Sequence, residues 1–351
     1  MSAFTDATAA VGELDTEAER AATAHHDRLT KPRGALGRLE TIGVRLAAIS
    51  GAMPPPLPAP AAVAVFAGDH GVLAQRVTPW PQEVTAQMVA NFVAGGAAIN
   101  VLARQMGATV TVIDVGVASE LEDASGLLRR KVRPGTADLA VEPAMTADDV
   151  ERALNVGAEV SAELVDGGAR ALVTGEMGIG NTTAAAAIIA ALTGRTAADV
   201  TGRGTGIDDA TLARKVAVVE RALGRLGDTR DGRTVLTEVG GLEIAALAGF
   251  IVGGAARRVP IVVDGVIAGA ALLVATELCP RAVAFSFAGH RSTEPGATAV
   301  LEHLELEPLL DLGMRLGEGS GACLALPVLE ASARVLAEMA TFDSAGVADK
   351  T

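Results

Sequence analysis

The sequence predicts an α/β protein: a mostly parallel sheet flanked by helices, Rossmann-like, with a smaller helical subdomain assembled from the N- and C-terminal segments. Three observations carry this expectation. Short apolar runs recur, each followed by a glycine-rich turn; alanine-rich stretches of helical length lie between them; and the strand signal is missing at both ends of the chain. The expected division is an α/β core over residues 61–292 and a helical subdomain from residues 1–60 with 293–351.

From Asp15 to Leu46 the apolar spacing is helical, broken at Lys31-Pro32-Arg33-Gly34, where proline and glycine end one helix and open the next. The proline-rich segment from Pro54 to Pro60 then forms a stiff linker. Strands are expected at Ala62-Val-Ala-Val-Phe66, Thr109-Val-Thr-Val-Ile113, Ala169-Arg-Ala-Leu-Val173, Pro260-Ile-Val-Val263 and Ala282-Val-Ala-Phe285. Most of these are continuously apolar rather than alternating, the mark of strands buried on both faces of a parallel sheet. The apolar stretch from Gly241 to Pro280 is interrupted by Glu243, Arg257-Arg258 and Asp264, so it reads as buried helix, strand and helix, not as a membrane span. A short helix is expected from Leu309 to Met314, within a final segment of helix and loop. In such folds ligands bind at the carboxyl ends of the strands, where the glycine-rich turns fall.

Composition narrows the function. With half of its 351 residues hydrophobic, the chain can bury a sizeable core. Lys and Arg number 29 against 42 Asp and Glu, a net charge of −13 that opposes attraction to nucleic-acid backbones but tolerates one locally held phosphate ester. Aromatic residues are 2% of the chain and tyrosine is absent, which disfavours extended stacking on bases. The two cysteines, Cys279 and Cys323, lack metal-ligand or redox spacing, and the acidic N-terminal residues lack the form of an export leader; reduced thiols and a cytoplasmic location are expected, with no membrane partner.

Several segments have chemical potential. Thr174-Gly-Glu-Met-Gly-Ile-Gly-Asn-Thr-Thr183 follows a strand and opens a helix, so its amides and the helix start suit an anion; a plain strand-to-helix turn is the competing reading. It has neither the lysine of an ATP-binding P-loop nor the dinucleotide glycine pattern. A carboxylate beside a phosphate would repel it, so Glu176 is read as a ligand for sugar hydroxyls. Lys215, on a helix after Thr201-Gly-Arg-Gly-Thr-Gly206, has the reach to hold a phosphate, although its residue pattern alone favours a solvated lysine. Gly317-Glu-Gly-Ser-Gly321 sets Glu318 among glycines; a solvated loop carboxylate and a general base are evenly matched. Gly68-Asp-His-Gly71 reads as a structural turn, because adjacent side chains on a strand point apart. Thr78-Pro-Trp-Pro81 and the following helix, with Gln87 and Met88, offer an apolar wall and an amide for a flat heteroaromatic ring, or else a loop anchored by tryptophan. Asp264 and His290, at strand ends, either line the same cleft or cap helices.

Lys31-Pro-Arg-Gly-Ala-Leu-Gly-Arg-Leu-Glu40, Gly68-Asp-His-Gly71, Pro81-Gln-Glu-Val-Thr85, the Thr174 to Thr183 segment, Gly289-His-Arg-Ser292 and Leu316-Gly-Glu-Gly-Ser-Gly-Ala322 occur in one colinear order over most of the chain. In these motifs the sequence resembles the nicotinate-nucleotide:dimethylbenzimidazole phosphoribosyltransferase family. It departs from the family at Ala35, where serine is usual, and at Trp80, where tyrosine is frequent. The resemblance implies transfer of phosphoribose from nicotinate mononucleotide to dimethylbenzimidazole in cobalamin assembly, by a homodimer that needs no cofactor and no metal. It makes Glu318 the base and puts Glu176, Gly178, Gly180, Asn181, Lys215 and Gly317 on the nucleotide. The benzimidazole pocket is expected at Thr78, Trp80, Gln87, Met88 and Leu316. The rival is a noncatalytic nucleotide sensor on the same fold.

Overall fold

The computed structural model describes residues 2–348. Its six strands form one all-parallel sheet: β1 (Ala61–Gly68), β2 (Thr109–Gly116), β3 (Leu127–Arg129), β4 (Ala171–Met177), β5 (Ile261–Val263) and β6 (Ser286–Ala288), in the spatial order β3-β2-β1-β4-β5-β6. Every residue of β1 is buried, as its unbroken apolar run requires; Val65 lies opposite Val112 on β2 and Gly175 on β4. The chain builds outward from β1 to β3 and then returns to the other side of β1 with β4. Between β1 and β4 the order therefore reverses, and the loops leaving their carboxyl ends part to open a crevice.

Three helices precede the sheet: α1 (Ala3–Ala10), α2 (Thr16–His26) and α3 (Arg38–Ser50). Between β1 and β2 run α4 (Glu83–Val93) and α5 (Ala98–Met106), and α6 (Ala147–Asp166) leads into β4. The long connection from β4 to β5 holds α7 (Asn181–Thr193), α8 (Ala197–Val200), α9 (Asp209–Leu226), α10 (Gly232–Val239) and α11 (Leu242–Ala256). After β5 comes α12 (Val266–Leu278), and the chain closes with α13 (Pro295–His303), α14 (Ser320–Leu324), α15 (Leu326–Glu338) and α16 (Phe342–Ala345). A helix that is apolar all round belongs in a core. Accordingly α11 is buried from Leu242 to Ala255, packed on α6 and on the sheet, where the Phe250 ring meets the edge of Phe66 at 5.5 Å. Truncating a buried phenylalanine of this kind to alanine costs about 3–5 kcal/mol.

The segment from Glu83 to Met106 has the length and apolarity of a membrane-crossing helix, as does that from Ser320 to Glu338. The first is interrupted between α4 and α5 at Gly95-Gly96, and the second is more than half buried.

Some expectations change. The apolar run Ala282-Val-Ala-Phe285 is the end of a 3₁₀ turn spanning Pro280–Phe285, and the strand begins only at Ser286. Proline starts the turn, and a short apolar run does not by itself distinguish helix from strand. The edge strand β3 was not expected, and residues 309–314 form no helix. α2, α3 and α15 pack together around Ala18, Ala22, Ala47 and Leu336, a cluster separate from the main core. The same helical ends also join the main core: Phe4 and Val11, Ile42 and Ile49 of α3, and Leu329 of α15 belong to it, and α13 packs on α12 and α7.

Candidate active site

A cavity of about 360 Å³ lies at the carboxyl ends of the strands. Glu176 and Gly178 reach it from β4, Gly265 and His290 from the segments after β5 and β6, and Leu316, Gly317 and Glu318 from the loop before α14. A larger groove of about 500 Å³, on α2 and α3, is more open and lies away from these strand ends. The crevice at the sheet reversal is where this architecture places ligands, and it gathers the buried carboxyl groups.

Glu318 is buried, at 7% exposure, so it is not a loop carboxylate in water. Its φ of +64° lies between Gly317 at +86° and Gly319 at +89°. A left-handed glutamate costs about 1 kcal/mol and persists where its surroundings over-determine it. Here the Ile99 amide, in the first turn of α5, donates to its Oε2 at 3.2 Å, and the helix terminus favours the charged form. Close approach fixes the other side: a Cβ on Gly175 of β4 would stand 2.6 Å from the Glu318 carbonyl oxygen. Burial raises the Glu318 pKa above the usual carboxylate value, opposed by the Ile99 hydrogen bond and assisted by the charge of Asp264. A buried carboxylate with a raised pKa has the chemistry to accept a proton.

Glu176 is more strongly perturbed. Burial first, then the neighbouring charges of Asp264 and Glu243, push its pKa up to about 8, against hydrogen bonds from the Asn181 amide and the Glu318 backbone. At neutral pH it is therefore mostly a neutral acid, able to donate as well as accept. This removes the repulsion a carboxylate would exert on a nearby phosphate and suits a sugar hydroxyl.

A smaller cavity shares the walls formed by Gly178, Asn181 and Thr182, and adds Gly180 and Lys215. Lys215 of α9 is 2% exposed, not solvated; its Nζ donates to Thr182 Oγ1 at 2.8 Å and to the Gly202 carbonyl at 3.2 Å. Among the described residues no carboxylate lies within ion-pair distance of it, and burial lowers its pKa to about 8, partly opposed by the charge of Glu294. α7 begins at this cavity with Gly180 as N-cap and no side-chain cap. A buried ammonium with neutral partners beside an uncapped helix start is electrostatically suited to an anion.

The wall expected for a flat ring is partly realised. Trp80, Met88 and Leu316 line the larger cavity, and Trp80 and Leu316 are exposed at 49% and 56%, at its mouth. Val84 completes the wall, four residues before Met88 on the same face of α4. Gln87 does not line it: one position from Met88, it turns about 100° around the helix and is exposed. Thr78 lines the smaller cavity with Lys215 instead. Glu294 and Arg315 reach the larger cavity without having been singled out in the sequence; Glu294 Oε1 accepts from the Gly204 amide at 2.9 Å, and Arg315 donates to the Gly204 carbonyl. His70 and Asp69 do not pair with each other: His70 bonds Glu243 at 2.8 Å, and Asp69 accepts from the Ala118 amide at 2.7 Å, which fits a structural turn.

A family model described as Phosphoribosyltransferase matches residues 11–347. The chain is 58% identical to the nicotinate-nucleotide–dimethylbenzimidazole phosphoribosyltransferase of Salinispora tropica, covering 98% of each chain. It is 56% identical to the protein of the same name from Chloroflexus aggregans, covering 100% of this chain and 99% of that one. The crystal structure of such a phosphoribosyltransferase from Thermus thermophilus superposes with a TM-score of 0.92 at 49% identity, covering 96% of this chain and 100% of that one.

Proposed function

The chain belongs to the phosphoribosyltransferase family, and from that premise we propose how its cavity transfers the phosphoribosyl group of nicotinate mononucleotide to 5,6-dimethylbenzimidazole. The products are α-ribazole 5′-phosphate and nicotinate, a step in assembling the nucleotide loop of cobalamin. The observation that carries the reading is the juxtaposition of a buried, helix-anchored Glu318 with a Lys215-lined anion pocket on either side of the Glu176 loop.

The phosphate of the nucleotide sits in the smaller cavity against Lys215 and the start of α7. Its ribose lies along Glu176, Gly178, Asn181 and Gly317, and the neutral Glu176 carboxyl donates to a ribose hydroxyl. The benzimidazole lies against Trp80, Met88 and Leu316. One ring nitrogen attacks C1′ of the ribose; the C1′–nicotinate bond breaks, and the leaving pyridine takes the bonding pair, which removes its positive charge. The other ring nitrogen gives its proton to Glu318. A positioned base contributes roughly 10²–10⁴-fold, and holding two substrates in line supplies much of the rest.

The exposed apolar rim at Trp80 and Leu316 supports a homodimer that covers the mouth of the cavity. Cys279 and Cys323, both unpaired and buried with raised pKa values, support a reducing, cytoplasmic setting and take no part in the chemistry.

The purified protein, mixed with nicotinate mononucleotide and dimethylbenzimidazole, is expected to release nicotinate and α-ribazole phosphate in equal amounts. Tight binding of the nucleotide with neither product formed would favour the noncatalytic sensor.

A further inference from the structure

We propose that Asp264, supported by His290, is a positioning residue for the transfer reaction: its carboxylate clamps the backbone that follows Glu318 and so fixes the direction from which the base meets the substrate. The inference rests on the reading of Glu318 as the base.

Asp264 follows β5 and is 6% exposed. Its own amide donates to Thr174 Oγ1 on β4 at 3.0 Å, which ties it to the strand that carries Glu176. Its Oδ2 accepts from the Gly319 amide at 3.3 Å and its Oδ1 from the Ala322 amide at 2.9 Å, while His290 Nε2 stands 3.3 Å from Oδ1. These amides belong to the start of α14, whose N-cap, Gly319, has no side chain to cap them. A serine or aspartate at the cap normally supplies that oxygen; here it comes from another strand. The cap position directly follows Glu318, so the same two hydrogen bonds hold the left-handed turn that aims the glutamate.

An ordinary cap on the first turn of a helix is the competing explanation, and it predicts a different outcome. A cap supports stability alone. A clamp on Glu318 supports the rate, and the charge of Asp264 also acts on the base. The groups facing Glu318 are the Ile99 amide from α5, Glu176 from β4 and Asp264 from β5; His290 and Cys323 flank Asp264, and Glu243 of α11 acts on Glu176. Removing the negative charge of Asp264 makes Glu318 easier to deprotonate, which moves the acidic limb of the pH profile to lower pH.

The test is Asp264→Asn, with Glu318→Gln and the double variant measured alongside, using nicotinate mononucleotide and dimethylbenzimidazole as probes. We expect kcat to fall roughly 10²-fold, the loss typical of a misaimed catalytic group, with KM for the nucleotide little changed. The acidic limb moves to lower pH, and the double variant loses less than the product of the two single losses, because both act through the same base. Unchanged kcat in folded Asp264→Asn, or losses that add in the double variant, overturns the proposal. Full activity in Glu318→Gln instead removes the reading on which it rests. Should Asp264→Asn fail to fold, Asp264→Glu, which keeps the charge and displaces the carboxylate, decides: a lowered kcat at unchanged KM for the nucleotide supports the clamp, and wild-type kcat overturns it.

Discussion

Lys215→Met removes the buried ammonium and leaves a side chain of similar girth in its slot on α9. The drop in the lysine pKa from 10.5 to about 8 corresponds to about 3 kcal/mol of destabilisation at neutral pH. The sign follows from the depressed folded-state value: the cost is present in full below about pH 8 and is relieved as the pH rises toward the unfolded value of 10.5. Against this gain, the variant forfeits two hydrogen bonds from a charged ammonium, to Thr182 and Gly202, about 1.5–3 kcal/mol each. Relative to the wild type, Lys215→Met is therefore expected to lose about 2–3 kcal/mol of stability between pH 7 and pH 10, as the wild type is relieved of its buried charge, a change that urea unfolding at the two pH values measures. Loss of a charge-assisted hydrogen bond to phosphate costs about 1.5–3 kcal/mol, so calorimetry should find nicotinate mononucleotide bound roughly 10- to 150-fold more weakly. A variant that unfolds more easily at pH 7 yet binds the nucleotide normally would show that Lys215 is a structural group and that the phosphate sits elsewhere.

The pH profile of kcat/KM is expected to be bell-shaped. Activity rises as Glu318 loses its proton, at a pH above the usual carboxylate range because the group is buried, and falls above about 8 as Lys215 loses its charge and Glu176 ionises. A flat profile from roughly pH 5 to 10 would contradict both assignments. Gly175→Ala places a Cβ 2.6 Å from the Glu318 carbonyl oxygen and 3.1 Å from the Val65 side chain. Displacing the base by a fraction of an ångström should lower kcat by roughly 10²-fold with less effect on nucleotide affinity, and wild-type kcat in this variant would show that the β4 contact does not aim Glu318.

The parallel core was legible because strands buried on both faces leave continuous apolar runs, as at Ala61–Gly68. β3 was not, since three half-exposed residues at a sheet edge carry no such run. Ala282-Val-Ala-Phe285 has the composition of a strand, and only the proline before it marks the turn it forms. Within the site, glycine-rich segments at strand ends located Glu176, Gly178 and Glu318 in the chain, because backbone must approach backbone there. Burial was the part the sequence did not carry: Lys215 looks like a solvated helix residue until α9 folds over Thr182, and Glu318 like a loop carboxylate until α5 caps it. For Gln87 the sequence carries the signal, because the helical spacing of Val84 and Met88 turns their neighbour away from the wall they form. Asp264 could be read as a helix cap, but its helix lies more than fifty residues along the chain, a pairing that only tertiary structure makes.

Glu318→Gln tests the proposed chemistry most directly, because the amide keeps the shape and can still accept from Ile99 but cannot take a proton. With both substrates bound, the single-turnover rate of nicotinate release should fall roughly 10²–10⁴-fold while each substrate binds as before, and the acidic limb of the pH profile should disappear. A single-turnover rate within about 2-fold of the wild type, with the acidic limb intact, would mean that another group takes the benzimidazole proton.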